Sequence, residues 1–301
     1  MLEQIRNPLE RWSMRNLDSS ASVRFTDILF TTDLSTAAER ALPYAVEIAG
    51  RYHAKVHAVH VVQPDAYVFV PPAPWPQSED GAKEFRQQGR RHLDEQLREI
   101  PHEILFEQGE TWPTLEEIIR NKEIDLIVLS THGRTGFGKA LLGSVAEQIF
   151  RQAVCPVLTV GPHTSPKPRS HAELNCILYA TDFSPESLAG APYAISLARE
   201  HRAQLVLFHC LEKDGDIPTF LHTLRDIVPF GTDLRCEPDC VVERGRPAEK
   251  ILEAAEGHGA DLIVLGVHGA DGRPAKTMRF ARTGVYRIVT QAKCPVLTVR
   301  G

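Results

Sequence analysis

The strongest constraint on this chain is that it spells one pattern twice. Residues 28–35, Ile-Leu-Phe-Thr-Thr-Asp-Leu-Ser, return as residues 177–184, Ile-Leu-Tyr-Ala-Thr-Asp-Phe-Ser, a separation of 149 (182 − 33). Pro43-Tyr-Ala returns as Pro192-Tyr-Ala, and His60 as His209, at the same separation. Asp125-Leu-Ile-Val-Leu returns at Asp261, a separation of 136 (261 − 125), and Cys155-Pro-Val-Leu-Thr-Val returns at Cys294, a separation of 139 (294 − 155). Self-similarity of this kind means a duplicated unit, so the 301 residues fold as two copies of one domain. The fall from 149 to 136 removes 13 residues (149 − 136) from the second copy, opposite a proline-rich stretch of the first.

Within a copy, short apolar runs alternate with helical patterns. Asp27–Thr31 and Ala54–Val62 read as the first two strands, with a helix between them whose small stripe is Ala37, Ala41, Ala45, Ile48 and Ala49. Gly81–Arg98 has helical composition. Ile104–Glu107 reads as a short strand, Trp112–Asn121 as a helix, and Asp125–Ser130 as a strand. Its run Leu126–Leu129 is too short for a helix and lacks alternation, as expected of a parallel strand covered on both faces. Strand and helix alternate five times, which predicts an α/β fold of two tandem doubly wound domains, each a five-stranded parallel sheet with helices on both faces. The expected layout is an extension over 1–23, a first domain over 24–161, a linker over 162–173 and a second domain over 174–301.

Ligands of such sheets bind beyond the carboxyl ends of the strands, where the strand order reverses. That rule brings Asp33, at the end of strand one, to the crevice faced by the loop after strand four. The loop runs Ser130-Thr-His132-Gly133-Arg134-Thr-Gly136-Phe-Gly138 and on to Gly143-Ser144-Val145. Ser144 with Glu147 three residues later has the capping-box pattern and places a helix start at Ser144. Backbone amides bared at a helix start by glycines make a seat for phosphate. The other reading of these glycines is a turn that binds nothing.

Composition enters by exclusion. A formal net charge of −5 supplies no overall field for nucleic acid or an anionic membrane. No apolar run approaches the roughly 20 residues needed to cross a bilayer, and Met1–Ser22 has no core of signal-peptide length, so a cytoplasmic protein is expected. Cys155, Cys176, Cys210 and Cys294 read as small core residues. Cys236 and Cys240 lack zinc spacing and a second pair, so no metal is expected. Five prolines and three aromatic residues between Gln63 and Asp80 mark a long loop, read either as a lid or interface or as a plain connector.

The loop resembles that of the universal stress protein family, whose ATP-binding members carry glycine, two residues, glycine, nine residues, then glycine followed by Ser or Thr. Gly133 and Gly143-Ser144 match that spacing, and Ser130 stands at the first glycine. The resemblance covers 25–160 and 174–300. It implies the strand order 3-2-1-4-5, an adenine nucleotide (ATP) bound rather than turned over, and a regulatory role in a stress response. It also implies a site in the first copy made of Thr32, Asp33, Ser130, His132, Gly133, Arg134, Gly136, Gly143, Ser144 and Val145. Asp33 can instead serve the helix that follows, as Asp182 is expected to do in the second copy. His60, His209, His132 and His268 each have a ligand-facing and a structural reading. A degenerate second site would use Asp182, Gly266, Gly269 and Thr283. There Arg282-Thr283 replaces Gly143-Ser144, and Pro274 removes an amide, so one nucleotide per chain is expected. Neither a Gly-x-Ser-x-Gly motif nor a phosphate-loop lysine is present, and no triad context appears, so catalysis is not expected. The competing classes are a slow ATP hydrolase or nucleotidyl-transfer enzyme and a scaffold without ligand. Expected partners are the nucleotide, the two repeats pairing within the chain, and a second copy as homodimer.

Overall fold

A computed structural model describes residues 23–62, 79–131, 142–165, 172–211, 215–267 and 278–301. The expected extension over 1–22, most of the Pro-rich loop, the middle of the linker, and His132, Gly133, Arg134, Gly136, His268 and Gly269 lie outside the described residues. The chain divides into two compact units, one built on 25–157 and one built on 158–165 and 173–301.

The first unit runs β1 (Asp27–Thr31), α1 (Thr36–Glu39), α2 (Leu42–Tyr52), β2 (Lys55–Val62), α3 (Glu79–Leu97), β3 (His102–Gln108), α4 (Thr111–Asn121), β4 (Leu126–Ser130) and α5 (Ser144–Gln152), leading into β5 (Val157–Val160). Its strands lie in the order β3-β2-β1-β4, all parallel, with Phe30 of β1 level with Ala58 of β2 and Val128 of β4. Pro156, just ahead of β5, accepts a hydrogen bond from the Ile127 amide at 3.0 Å. The second unit runs β6 (Cys176–Ala180), α6 (Pro185–Leu188), α7 (Ala191–His201), β7 (Gln204–Leu211), α8 (Ile217–Arg225), β8 (Asp239–Arg244), α9 (Pro247–Gly257), β9 (Leu262–Val267), α10 (Met278–Gln291) and β10 (Val296–Arg300). Its order, β8-β7-β6-β9-β10, is parallel throughout and is the expected 3-2-1-4-5.

The single helix expected from Ala37 to Tyr52 is two. Pro43 has no amide to donate back up a helix, so α1 ends at Glu39 and α2 restarts with the proline in its first turn. Pro192 breaks α6 from α7 in the same way. The inner strands are buried on both faces, with Ile28, Leu29 and Phe30 of β1 and all of β6 buried, whereas the outer β3 and β8 are largely half-buried or exposed.

The repeated Asp125 and Asp261 are clamps between strand ends. Asp125 Oδ2 accepts from the Thr26 amide at 2.6 Å and the Thr26 hydroxyl at 2.9 Å; Asp261 Oδ2 accepts from the Asn175 and Cys176 amides at 2.9 and 3.2 Å. A charged cluster ties the start of β1 to those of β2 and β3: Glu103 meets Lys55 at 2.9 Å and Lys122 at 3.0 Å, and the buried His57 has Nε2 2.8 Å from Asp27 and Nδ1 3.3 Å from Glu103. The hydrogen bonds from Lys55 and Lys122 hold the Glu103 carboxyl down at about 2. A depressed carboxyl stabilises the fold above the ordinary carboxylate range, and this contribution disappears as pH falls toward about 2. Urea unfolding of Glu103→Gln should therefore lie below the wild type at pH 7, with the two curves converging toward pH 2; a gap of constant size at both ends of that range would contradict this origin.

Of the four cysteines expected in cores, Cys176 and Cys294 are buried, whereas Cys155 and Cys210 are only half-buried, each at the edge of its strand. Cys236 contacts the Gln204 side-chain oxygen and Cys240 the Pro238 carbonyl. Among the described residues no group of three or more His, Cys, Asp and Glu side chains is arranged to hold a metal ion, and no helix is long and apolar enough to cross a membrane.

Candidate functional site

Because β1 lies between β2 and β4, its carboxyl end is where the strand order reverses. Thr32, one residue past β1, is buried and donates its amide to Val59 of β2 at 3.0 Å. Its hydroxyl accepts from the Leu34 amide at 2.9 Å, and Asp33 Oδ1 accepts from the Ser35 amide at 3.0 Å. Ser35 then caps α1, its hydroxyl accepting from the Ala38 amide. Asp33 thus orients the capping residue rather than capping the helix itself. These bonds hold Leu34 at φ 61°, a left-handed backbone that costs a leucine roughly 1–2 kcal/mol. His60 Nδ1 sits 2.8 Å from the Thr32 carbonyl; a carbonyl only accepts, so this nitrogen carries the proton and donates. The structural reading of His60 holds, and the histidine also fixes the turn.

Continuing the β1–β4 register two residues beyond Phe30 and Val128 sets Thr32 level with Ser130. Thr131 follows, buried, and its carbonyl accepts from the Gly143 amide at 2.8 Å, pinching together the two ends of the glycine-rich loop. The helix start differs from the capping-box expectation: Gly143, not Ser144, is the N-cap, with extended backbone and no side chain to offer. Ser144 is the first helical residue and is exposed, while Glu147 pairs with Arg151 instead of reaching back. The reason is steric. A Cβ at residue 143 would stand 3.3 Å from the Thr131 oxygen, so glycine fits this pinch and leaves the first amides of α5 without a cap from residue 143. Val145, half-buried, follows on the same turn. The structure thus brings Thr32, Asp33, Ser130, Gly143, Ser144 and Val145 to one end of one sheet. Sequence reasoning missed Leu34, because a left-handed leucine has no sequence signal, and Thr131, whose contribution is a backbone oxygen.

The second unit repeats the turn. Phe183 has φ 62°, the Thr181 hydroxyl accepts from its amide at 2.9 Å, Asp182 accepts from Ser184, and His209 Nδ1 donates to the Thr181 carbonyl at 2.8 Å. Burial pushes the Asp182 carboxyl up, but hydrogen bonds from Ser184 and Ser187 outweigh it and leave the group below its ordinary value. Gly266, expected as a loop glycine, instead serves packing. A Cβ there would meet the Glu186 oxygen at 2.1 Å and Ser187 Cα at 2.5 Å, because α6 lies with its backbone on the end of β9. The Tyr179 hydroxyl donates to the Ser187 carbonyl at 2.8 Å, and the Thr181 and Ser187 hydroxyls are 2.8 Å apart, which fastens α6 there. At the corresponding positions the first unit has Phe30 and Ala38, which lack the two hydroxyls, and Ser130, which carries a side chain where the second unit has Gly266. Thr283 falls on α10, and its side chain lies outside the described residues.

These features have relatives. The sequence model of the universal stress protein family matches residues 24–161 and again 236–300, together more than half of the chain. A universal stress protein of Methanocaldococcus jannaschii is 34% identical over 139 residues, covering 45% of this chain and 82% of that protein. One of Mycolicibacterium smegmatis is 28% identical over 295 residues, covering 91% of this chain and 96% of its own length. The crystal structure of a universal stress protein from Archaeoglobus fulgidus superposes with a TM-score of 0.70 at 21% identity, covering 91% of this chain and 98% of that one, a likeness of fold. The second family match begins at Cys236, and the structure supplies what precedes it: β6 through α7 repeat β1 through α2 down to the left-handed residue of the turn. This chain belongs to the universal stress protein family and carries its domain in tandem.

Proposed function

We propose that the first domain binds an adenine nucleotide, ATP, and that the chain acts as a regulator in a stress response rather than as an enzyme. The observation that carries the reading is the pinch between Thr131 and Gly143: it opens α5 on a glycine, with its first amides bare of a side-chain cap, level with the Asp33 turn at the switch point. Triphosphate oxygens accept hydrogen bonds from such amides and from the Ser144 hydroxyl, and the helix dipole favours their charge. The Asp33 carboxylate, already turned toward Ser35, accepts from a ribose hydroxyl or an adenine amino group. His132, Gly133, Arg134 and Gly136 complete the proposed loop around the phosphates. Domain limits of 24–161 and 174–301, a cytoplasmic location, pairing of the repeats and a homodimer belong to the same proposal.

Isothermal titration of the full chain with ATP tests the reading, together with mass spectrometry of ligand released on denaturation; absence of heat and of released nucleotide would end it. Turnover is a separate measurement. Phosphate release should not rise above the contaminant level, since no motif places a general base beside the phosphates. A steady rate that survives successive purification steps and vanishes in Ser144→Ala would make the protein a hydrolase.

A further inference from the structure

The 13-residue deletion in the second copy brings the helix after its second strand close to that strand's end, so that Phe220 of α8 follows His209 of β7 by only 11 residues (220 − 209). The Phe220 ring lies on the His209 imidazole with centroids 4.7 Å apart and planes at 22°, an offset stack of the kind nucleobases make with aromatic side chains. Phe183, the left-handed residue of the Asp182 turn, packs on the same histidine at 4.6 Å and on Phe220 at 5.9 Å. The backbone at Gly215 lies against the ring: a Cβ there would come 3.0 Å from Phe220 Cε2. Phe183 and His209 are buried, while Phe220 is partly exposed, so the phenyl ring closes the stack toward solvent.

We propose that Phe220 is a built-in occupant of a ring-stacking slot in the second domain, and that removing its ring opens a site for uncharged planar heteroaromatics such as adenosine. Two observations set the ligand class. Burial pushes His209 below its ordinary value against the raising effect of its bond to Thr181, so the imidazole is neutral at pH 7 and stacks as a neutral ring. At the same end of the sheet, α6 seats its backbone on Gly266 and brings the Glu186 and Ser187 carbonyl oxygens there, and these oxygens oppose phosphates, which restricts the ligand to a base or nucleoside. The inference does not depend on nucleotide binding by the first domain.

The test compares full-length wild type, Phe220→Ala and Phe220→Leu by titration with adenosine and with benzimidazole at pH 7.5. Phe220→Ala should acquire one saturable site beyond any shown by the wild type, with a dissociation constant on the order of 1 mM as expected for a small ring in a preformed slot. Ligand should raise its melting temperature, and adding His209→Ala should remove the gain. The milder Phe220→Leu tests the slot if the alanine variant is too unstable to titrate, and should show a weaker gain. A folded Phe220→Ala that gains no site, or a gain that survives His209→Ala, would overturn the proposal, as would equal binding of ATP and adenosine at the new site.

Discussion

Gly143→Arg should lower the affinity for ATP at least 100-fold, about 2.7 kcal/mol, and combined with Asp33→Ala it should take binding below detection. A Cβ at this glycine would stand 3.3 Å from the Thr131 oxygen, so a long side chain disturbs the pinch that opens α5, next to the proposed phosphate seat. The guanidinium can attract phosphate, yet it does so from a position that breaks the pinch. Asp33→Ala alone removes one acceptor and leaves the helix cap to Ser35, so a loss of roughly tenfold, about 1.4 kcal/mol, is expected without unfolding. Titration of the wild type should give a stoichiometry near one per chain. If the double variant binds as the wild type does, the site is elsewhere; a stoichiometry near two would mean that the second domain binds the nucleotide as well.

The second large effect is on stability. Gly266→Ala should cost about 3 kcal/mol or more, a magnitude reached by overpacking against atoms that cannot move aside. The new Cβ would meet the Glu186 oxygen and Ser187 Cα, both backbone, and α6 is held from behind by Tyr179 and by the Thr181–Ser187 pair. Gly190 leaves no slack either, since its own Cβ position is 3.2 Å from the Gly266 amide. Ser130→Gly, the same exchange in reverse in the first domain, should change stability by no more than about 1 kcal/mol, the backbone entropy of a glycine. Thermal unfolding with both variants checks the contrast. Equal stability of Gly266→Ala and wild type would show that α6 yields.

Much of the fold was legible because the repeat is carried by buried strands, whose apolar runs report themselves. The Thr-Asp turn, the β4 run and Cys-Pro-Val before the last strand all lie where they were expected. Boundaries slipped where one residue's backbone chemistry governs, as at Pro43. The site was legible in its glycine spacing and less so in its roles. Ser144 and Glu147 have the letters of a capping box, but the pinch to Thr131 moves the cap to Gly143. Gly266 matched the family spacing better than Ser130 did, yet it answers to the α6 backbone, a neighbour that spacing alone does not reveal. Phe220 carried no signal, because a phenylalanine on a short amphipathic helix reads as ordinary core.

Asp125 and Asp261 grip the starts of their sheets, at the end away from the crevices, and they do so with the same oxygen and the same kind of donors. The two copies therefore share foundations while their upper storeys differ: a glycine-opened helix in one, a seated α6 and a phenyl ring on a histidine in the other. A duplicated chain built this way can alter what it holds without renegotiating how it stands. Exchanges at the carboxyl ends of the strands leave the amino-terminal clamps untouched, so the two crevices can diverge while both sheets keep one footing.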